Sequence, residues 1–408
     1  MSSKIKNNQI GRERERSMEI DAKRCSMEID VSKFLDNYRM VRDVLPKKCK
    51  MMAVLKGNAY GHGAVRLAAS LNEFPEDWLA VATIGEALEL RKAGIQKEIL
   101  ILGCTPCEEA PLLAKARLTQ TIISGEYARL LACYAEASGV QVQAHLALDT
   151  GMSRIGLVVY GKFREESLEE AEKIYASKQL NVTGIFTHFS SAYGTEPEDK
   201  AYTALQYELF IKACESLRER GITPGIRHCN NSPSIINYPE YALDMSRGGT
   251  LLFGALDKKK MKHLVNLHIV ASFKTRVTMI KEIEEGSAIS YSRTAVAEHG
   301  MRLAVLSVGW YDGYPRQLGN IGKVLIRGKK YPIVGNVCMD LCMADVTASE
   351  EIRAGDEAVL LGRQGDEEIT YSDLFEPIGL GAGSISSGIS ERVPRIYVES
   401  FDKVGGND

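Results

Sequence analysis

The chain has 408 residues, 45% hydrophobic and 25% charged, an ordinary globular composition that excludes a disordered chain. Lys plus Arg number 51 against 53 Asp plus Glu, a formal net charge of −2, so there is no electrostatic footprint for nucleic acid or an anionic membrane surface. No apolar run reaches the roughly 18–20 residues of a spanning helix, and nine cysteines, an odd number in a long chain, point to a reducing, cytoplasmic setting rather than a disulfide framework.

Residues 1–25 are polar, mixed in charge and without a signal-peptide pattern, which reads as a flexible extension. The tract SMEID occurs twice, at Ser17–Asp21 and Ser26–Asp30, with no repeat architecture following from it. From 26 to 255, short β-rich segments alternate with stretches of helical spacing. Strands are expected at Met51–Lys56, Trp78–Ala82, Glu98–Leu102, Thr119–Ile123, Gln141–Asp149, Asn181–His188, Ile226–Cys229 and Leu243–Arg247. Helices are expected at Ala64–Leu71, Ile84–Ala93, Glu126–Ala137 and Asp199–Arg220, three of them stopped by Gly94, Gly139 and Gly221. Alternating β and α units imply a parallel sheet with right-handed crossovers. Eight such units fit an α/β architecture of the closed (β/α)8, TIM-like kind, with an open doubly wound sheet as the structural rival. From 256 to 408 the texture changes to closely spaced strands: Leu267–Met279, Ala304–Val308, Lys323–Arg327, Tyr331–Val334, Met343–Val346 and Ala358–Leu361. Turn residues join them, as expected of a mostly β C-terminal domain.

Barrel active sites lie at the C-terminal ends of the strands, so polar residues there carry the chemistry. Lys56 ends the first strand. Partial burial there would lower its pKa and leave a nucleophilic amine, although a strand-end lysine can also simply reach to solvent. Barrels often bind phosphate with the loops after strands seven and eight. Here those loops read Asn230-Asn231-Ser232 and Ser246-Arg247-Gly248-Gly249-Thr250. The glycines let backbone N–H groups approach an anion, and Ser232 and Thr250 add hydroxyls, though either stretch alone is an ordinary turn. Arg154 follows the fifth strand, His188 ends the sixth and Arg247 the eighth, an inventory suited to a phosphorylated anionic ligand. The spacing Cys104-Thr105-Pro106-Cys107 suits a dithiol, but nothing else supports one. The seven histidines stand at no metal-ligand spacing, so no metal is expected.

The stretch Ala53–Gly63 resembles the lysine signature of the alanine racemases, fold-type III enzymes that use pyridoxal 5′-phosphate (PLP). The resemblance continues in family order through Asp149–Gly156, Thr187-His188-Phe189, Asn231-Ser232, Arg247–Thr250, Ile289-Ser290-Tyr291, Val308–Gly313, Val334–Asp340 and Arg392–Arg395. It implies an amino-acid racemase interconverting L- and D-alanine and supplying D-amino acids for peptidoglycan. Lys56 would carry PLP and act as one catalytic base. Tyr291, from the partner of a head-to-tail homodimer, would be the other. Arg247 would bond the pyridine nitrogen. Tyr60, Ser232, Gly249 and Thr250 would hold the phosphate, with Asn231 also among the cofactor-binding residues. Arg154 would contact the cofactor's phenolic oxygen and the substrate. His188 would buttress Arg247 or Tyr291. Met339, within Cys338-Met339-Asp340, would receive the substrate carboxylate at its backbone N–H.

Three positions depart from the family pattern. A lysine often carboxylated in the family is Ala147 here, a pocket tyrosine falls at Gly383 or Ser384, and an entrance tyrosine is replaced by Trp310. The second departure would widen the site and admit serine, as in the serine racemases tied to vancomycin resistance. Two rivals remain on residues alone: a fold-type III decarboxylase, disfavoured by an arginine rather than a carboxylate at 247, and a non-catalytic PLP-binding protein, disfavoured by the added β domain with Tyr291.

Overall fold

The computed structural model describes residues 16–17, 19–256, 266–381 and 383–399. Eight parallel strands run in the order Met245–Gly248, Lys50–Val54, Trp78–Val81, Ile99–Ile101, Thr119–Ile122, Val142–Asp149, Leu180–Phe186 and Ile226–His228. Each expected strand is present, shifted or shortened by a residue or two at its ends. Backbone hydrogen bonds from Asp244 N to Arg227 O (3.1 Å) and from Arg247 N to Asn230 O (3.2 Å) draw the two outermost strands together. The strands are near-continuous buried runs because helices cover them outside while side chains fill the barrel inside. Met52, Val54, Trp78, Ala80, Leu100 and Met245 form a buried cluster separate from the large helix-facing core. Lys56, two residues past the strand end at Val54, lines the same cavity as Val54.

The covering helices form where expected: Ala64–Ser70, Ile84–Lys92, Gly125–Ala137 and the long Pro197–Glu219. Ile84–Lys92 opens on a capping box between Thr83 and Glu86 and closes at Gly94, whose φ of +86° suits a residue without Cβ.

A second sheet of nine strands has the order Glu367–Ile369, Glu357–Gln364, Lys323–Ile326, Lys329–Val334, Cys342–Asp345, Met301–Leu306, Ala271–Ile283, Cys25–Asp30 and Arg395–Val398. Ala271–Ile283 also pairs with Glu357–Gln364, which curls the sheet on itself. Here the structure differs from the sequence reading, which starts the barrel at residue 26. Cys25–Asp30 lies antiparallel to Ala271–Ile283 and parallel to Arg395–Val398, inside the second sheet. Cys25, Met27 and Ile29 are buried, and an apolar strand this short has to be paired on both sides to stay dry. The residues before it are not a loose tail either. Residues 19–24 are helical, and Arg24 donates to both oxygens of buried Asp312 at 3.1 and 2.6 Å, joined there by Arg392 at 2.8 Å. Residues 1–15 and 18 of the expected extension lie outside the described residues. Glu367–Ile369 and Arg395–Val398 were not expected as strands, because each is short and carries no alternation of apolar residues.

Candidate active site

A cavity of about 330 Å³ opens where the barrel strands end, within the ~300–1,000 Å³ usual for small-molecule sites. Lys56, Tyr60, Arg154, His188, Ser232 and Gly249 line it together with Arg247. A larger cavity of about 470 Å³ lies by Ile321, Lys323 and Tyr371, and none of the expected site residues reaches it.

The strand carrying Lys56 stops at Val54, and the chain then turns left-handed. Gly57, Asn58, Ala59 and Tyr60 have φ between +51° and +62°. For the three that are not glycine this costs about 1–2 kcal/mol each, so surrounding bonds must hold the turn. Gly61 N donates to Gly57 O (2.8 Å), Ala64 N to Asn58 Oδ1 (2.8 Å) and Gly57 N to Glu86 Oε1 (2.6 Å). The second domain closes the other side, with Arg395 Nε donating to Gly61 O at 3.0 Å and Tyr371 OH lying 2.9 Å from His62 Nε2. Lys56 emerges half-buried. Burial first, then the cations Arg154 and Arg247, push its amine below the usual lysine range.

On the opposite wall Asn231 caps the short helix Ser232–Asn237, and Ser232 Oγ accepts from Gly249 N at 2.9 Å. A Cβ at Gly249 would stand 2.8 Å from the Tyr60 hydroxyl and 3.3 Å from Ser232 Oγ, so the glycine keeps a polar cradle open. Burial holds the Tyr60 hydroxyl protonated, its pKa raised to about 12, which makes it a donor. Amide, hydroxyl and phenol donors around a glycine suit a phosphate. A Cβ at Gly383 would press on Tyr60 Cδ1 (3.1 Å) and Thr250 Cγ2 (3.2 Å), so Thr250 borders the same corner.

Arg247 is buried at the bottom. Nη1 reaches His228 Nδ1 (2.8 Å) and His228 O (3.0 Å); Nη2 reaches Thr187 O (2.7 Å), Cys229 O (3.1 Å) and His188 Nδ1 (3.2 Å). The Nε–H is left without a protein partner among the described residues, and Arg247 is one of the residues that line the cavity. Burial lowers the guanidinium to about 10, still charged at neutral pH. An arginine only donates, so both imidazoles must present Nδ1 as an acceptor and stay neutral. His228 then passes its Nε2 proton toward His145 Nδ1 at 2.9 Å. An aromatic heterocycle with an unprotonated ring nitrogen fits this Nε–H, and the cradle above fits its phosphate, so the residues present suit PLP.

Arg154 hangs at the mouth, exposed, on a loop whose amides at Gly151, Met152 and Ser153 all donate to Asp149 Oδ1. Its guanidinium makes no hydrogen bond among the described residues. Ala147 is buried in the strand before it and offers no side chain to fix it.

The remaining expected residues form a second group, on the β domain. Tyr291 is 67% exposed and does not line the cavity of its own chain. Its loop is tied to the Cys338 loop: Ser290 Oγ donates to Asn336 O (2.6 Å), and Asn336 Nδ2 to Tyr291 O (2.9 Å). Trp310 N and Tyr311 N in turn bond Cys338 O and Met339 O, both at 3.0 Å, and Arg392 reaches Asp340 at 2.7 Å. Cys338, Met339 and Asp340 thus sit beside Tyr291, on a face with exposed Trp310, Tyr311 and Leu341.

Sequence reasoning missed Glu86, His62, His145 and His228. The Thr83-x-x-Glu86 spacing is a capping-box signature and could have marked Glu86. The histidines carry no local signal, because only the barrel brings them together.

Two family profiles match the chain: "Alanine racemase, N-terminal domain" over residues 29–257 and "Alanine racemase, C-terminal domain" over 270–397. Alanine racemase 2 of Caldanaerobacter subterraneus subsp. tengcongensis is 38% identical over 379 residues, 92% of this chain and 96% of its own. The alanine racemase of Methanococcus maripaludis is 38% identical over 372 residues, 91% and 98%. Among solved structures, the alanine racemase of D-cycloserine-producing Streptomyces lavendulae superposes with a TM-score of 0.84 at 30% identity, over 92% of this chain and 97% of that one. A Bacillus anthracis alanine racemase with bound L-Ala-P gives 0.81 at 31%, over 92% and 95%. With a lysine-bearing barrel mouth, a phosphate cradle and an arginine donor for a pyridine ring already in place, these matches establish that the chain belongs to the alanine racemase family of PLP-dependent isomerases.

Proposed function

We propose that the chain interconverts L- and D-alanine with two bases, Lys56 of one copy and Tyr291 of a second, and so supplies D-alanine for peptidoglycan. Lys56 holds the cofactor. Tyr60, Ser232, Gly249 and Thr250 hold its phosphate, Asn231 caps the helix that presents Ser232, and Arg247 Nε–H meets the ring nitrogen. Bound there, PLP supplies the electron sink that acidifies the α-hydrogen of the amino acid. Because Arg247 keeps its own proton, the ring nitrogen stays unprotonated, so the sink is shallower and return of the proton competes well with side reactions.

Racemisation requires a proton to leave one face of the α-carbon and return to the other. Lys56 serves one face. Its lowered pKa leaves more free amine near neutral pH than an ordinary lysine would have, as a general base requires. The phenol of Tyr291 would serve the opposite face. Its exposure, together with the apolar residues around it, supports a head-to-tail homodimer in which each site borrows the partner's tyrosine and the Met339 N–H for the substrate carboxylate. Neutral His188 is held by Arg247 at Nδ1 and by Asn231 Nδ2 at Nε2 (3.4 Å), and so buttresses Arg247. Arg154, at the mouth, stands ready to meet the cofactor's phenolic oxygen and the entering carboxylate. A Cβ at Gly383 would stand 3.1 Å from Tyr60 Cδ1, so the Tyr60 ring borders the space that the family tyrosine would take.

The observation that carries this reading is a half-buried amine, pushed down by burial and two arginines, in one cavity with the Ser232–Gly249 cradle. Borohydride reduction of the holoenzyme followed by peptide mapping tests it. The cofactor should be fixed on Lys56, and Lys56→Ala should lose PLP absorbance and on the order of 10³-fold or more in kcat/KM for alanine. Cofactor fixed to another lysine, or normal racemisation by the variant, ends the reading.

A further inference from the structure

Glu86 lies on the helix that follows the second barrel strand, yet its carboxylate bridges three backbone amides on two neighbouring loops. Oε1 accepts from Gly57 N at 2.6 Å, the peptide directly after Lys56. Oε2 accepts from Ala82 N at 2.7 Å and Thr83 N at 3.3 Å, where the second strand passes into its helix. Thr83 Oγ1 returns the contact by accepting from Glu86 N at 3.3 Å, so the carboxylate is held in place by a capping box. A helix N-terminus is a favourable place for a carboxylate in its first turn. Capping alone would use one oxygen. The second oxygen instead spans to the start of the left-handed turn, the one place where the backbone carrying Lys56 departs from strand geometry.

We propose that Glu86 is a positioning residue for Lys56, one that pins the first peptide of the left-handed turn to the neighbouring helix and sets a negative charge at the peptide directly after the lysine. The proposal rests on Lys56 being the cofactor lysine. The charged groups acting on the lysine nitrogen come from three elements: Arg154 after the fifth strand and Arg247 on the eighth, both cations, and Glu86, the anion; His188 after the sixth is half-buried and neutral. Among the described residues, Glu86 is the anion that opposes the two arginines. Without it the proton on the Lys56 nitrogen would be less stable, and the turn would lose the bond that fixes its first peptide.

The test is Glu86→Gln in the holoenzyme. An amide keeps one acceptor oxygen and turns an NH2 toward either Gly57 N–H or Ala82 N–H, so the bridge breaks on one side with little change of size. The readout is the pH midpoint of the cofactor's absorbance change, which reports the proton on the Lys56 nitrogen. The midpoint should fall by roughly half a unit or more, with faster release of PLP on dilution. Thr83→Ala is the control: it weakens the same helix start while leaving the carboxylate, and its midpoint should stay that of the parent. Glu86→Asp keeps the charge but not the reach, so it should release PLP faster while its midpoint stays closer to the parent's. An unmoved midpoint in a folded Glu86→Gln overturns the proposal. So does a Thr83→Ala shift of equal size, and, should the Gln variant not fold, an Asp variant unchanged in both readouts. Borohydride mapping of the parent separates the two claims: cofactor on another lysine removes the Lys56 reading, whereas cofactor on Lys56 with an unmoved midpoint removes the role of Glu86 only.

Discussion

His62, His145 and His228 are buried from water and His188 is half-buried at the cavity; burial is the first cause lowering each imidazole's pKa, to about 4 for His62 and about 3 for His145. Each is held neutral by a bond that uses it as an acceptor: from Tyr371 OH to His62 Nε2, from the Arg247 guanidinium to His188 and His228, and from His228 to His145. An unfolded histidine titrates near 6.5. Below that pH the unfolded chain takes up protons that the folded one refuses, so the stability these groups contribute is complete above about 6.5 and is lost as pH falls toward the folded values. Urea unfolding should therefore give lower stability at pH 5 than at pH 7.5, by roughly 2 kcal/mol for each of His62 and His145. Equal stability at the two pH values would mean these imidazoles are already charged when folded. Lys56 and Arg247 were legible as site residues because strand ends of a barrel face the site. The histidines beneath them were not, since a buried histidine in sequence looks the same whether it joins a network or only fills space.

Among the elements, the left-handed turn after Lys56 shows how much a short segment depends on its surroundings. Three non-glycine residues at positive φ are held only because bonds arrive from both the barrel and the second domain. Gly63, with φ +94°, is where the second domain comes closest: a Cβ there would fall 1.7 Å from the Tyr397 hydroxyl. Gly63→Ala should cost at least roughly 1–3 kcal/mol in urea unfolding and speed PLP loss, because the strain falls on the turn that carries Lys56. Removing the hydroxyl in the same chain, Tyr397→Phe, should recover part of that loss, since the two changes share one contact. A double variant no better than Gly63→Ala would place the strain in the backbone alone. The sequence marks this segment by glycines at 57, 61 and 63, and their number announces a tight turn. Its handedness was not legible, because Asn58 tolerates positive φ but Ala59 and Tyr60 have no local preference for it and accept it only under tertiary restraint.

At the scale of the whole molecule, the two groups of site residues lie apart in one chain. Lys56 lines the barrel cavity, while Tyr291 stands exposed on the β domain beside Met339 and Trp310. If each site takes its lysine from one copy and its tyrosine from the other, two inactive variants should complement. Lys56→Ala and Tyr291→Phe, each nearly inactive, should regain about a quarter of parent activity when unfolded and refolded together, because half of the dimers are then mixed and each holds one complete site. No recovery in demonstrated mixed dimers would place both residues in a single chain's site. The Arg24–Asp312–Arg392 cluster belongs to this scale as well. It joins the start of the described chain to the loop that carries Trp310 and to the Asp340 loop, and so stiffens the face where Tyr291 stands.

The sequence by itself determined the eight β/α units, the mostly β second half, and the lysine, arginine, serine and glycine signals at the strand ends. Each of these is written locally, in periodicity, turn residues or short motifs. Only the tertiary structure decided that Cys25–Asp30 joins the second sheet, that Arg247 has one donor left for a ligand, that Glu86 reaches the peptide after Lys56, and that Tyr291 stands outside its own chain's cavity. Those four outcomes depend on contacts between residues tens to hundreds of positions apart, and hydrophobic patterning along the chain records which face is buried, not what it is buried against.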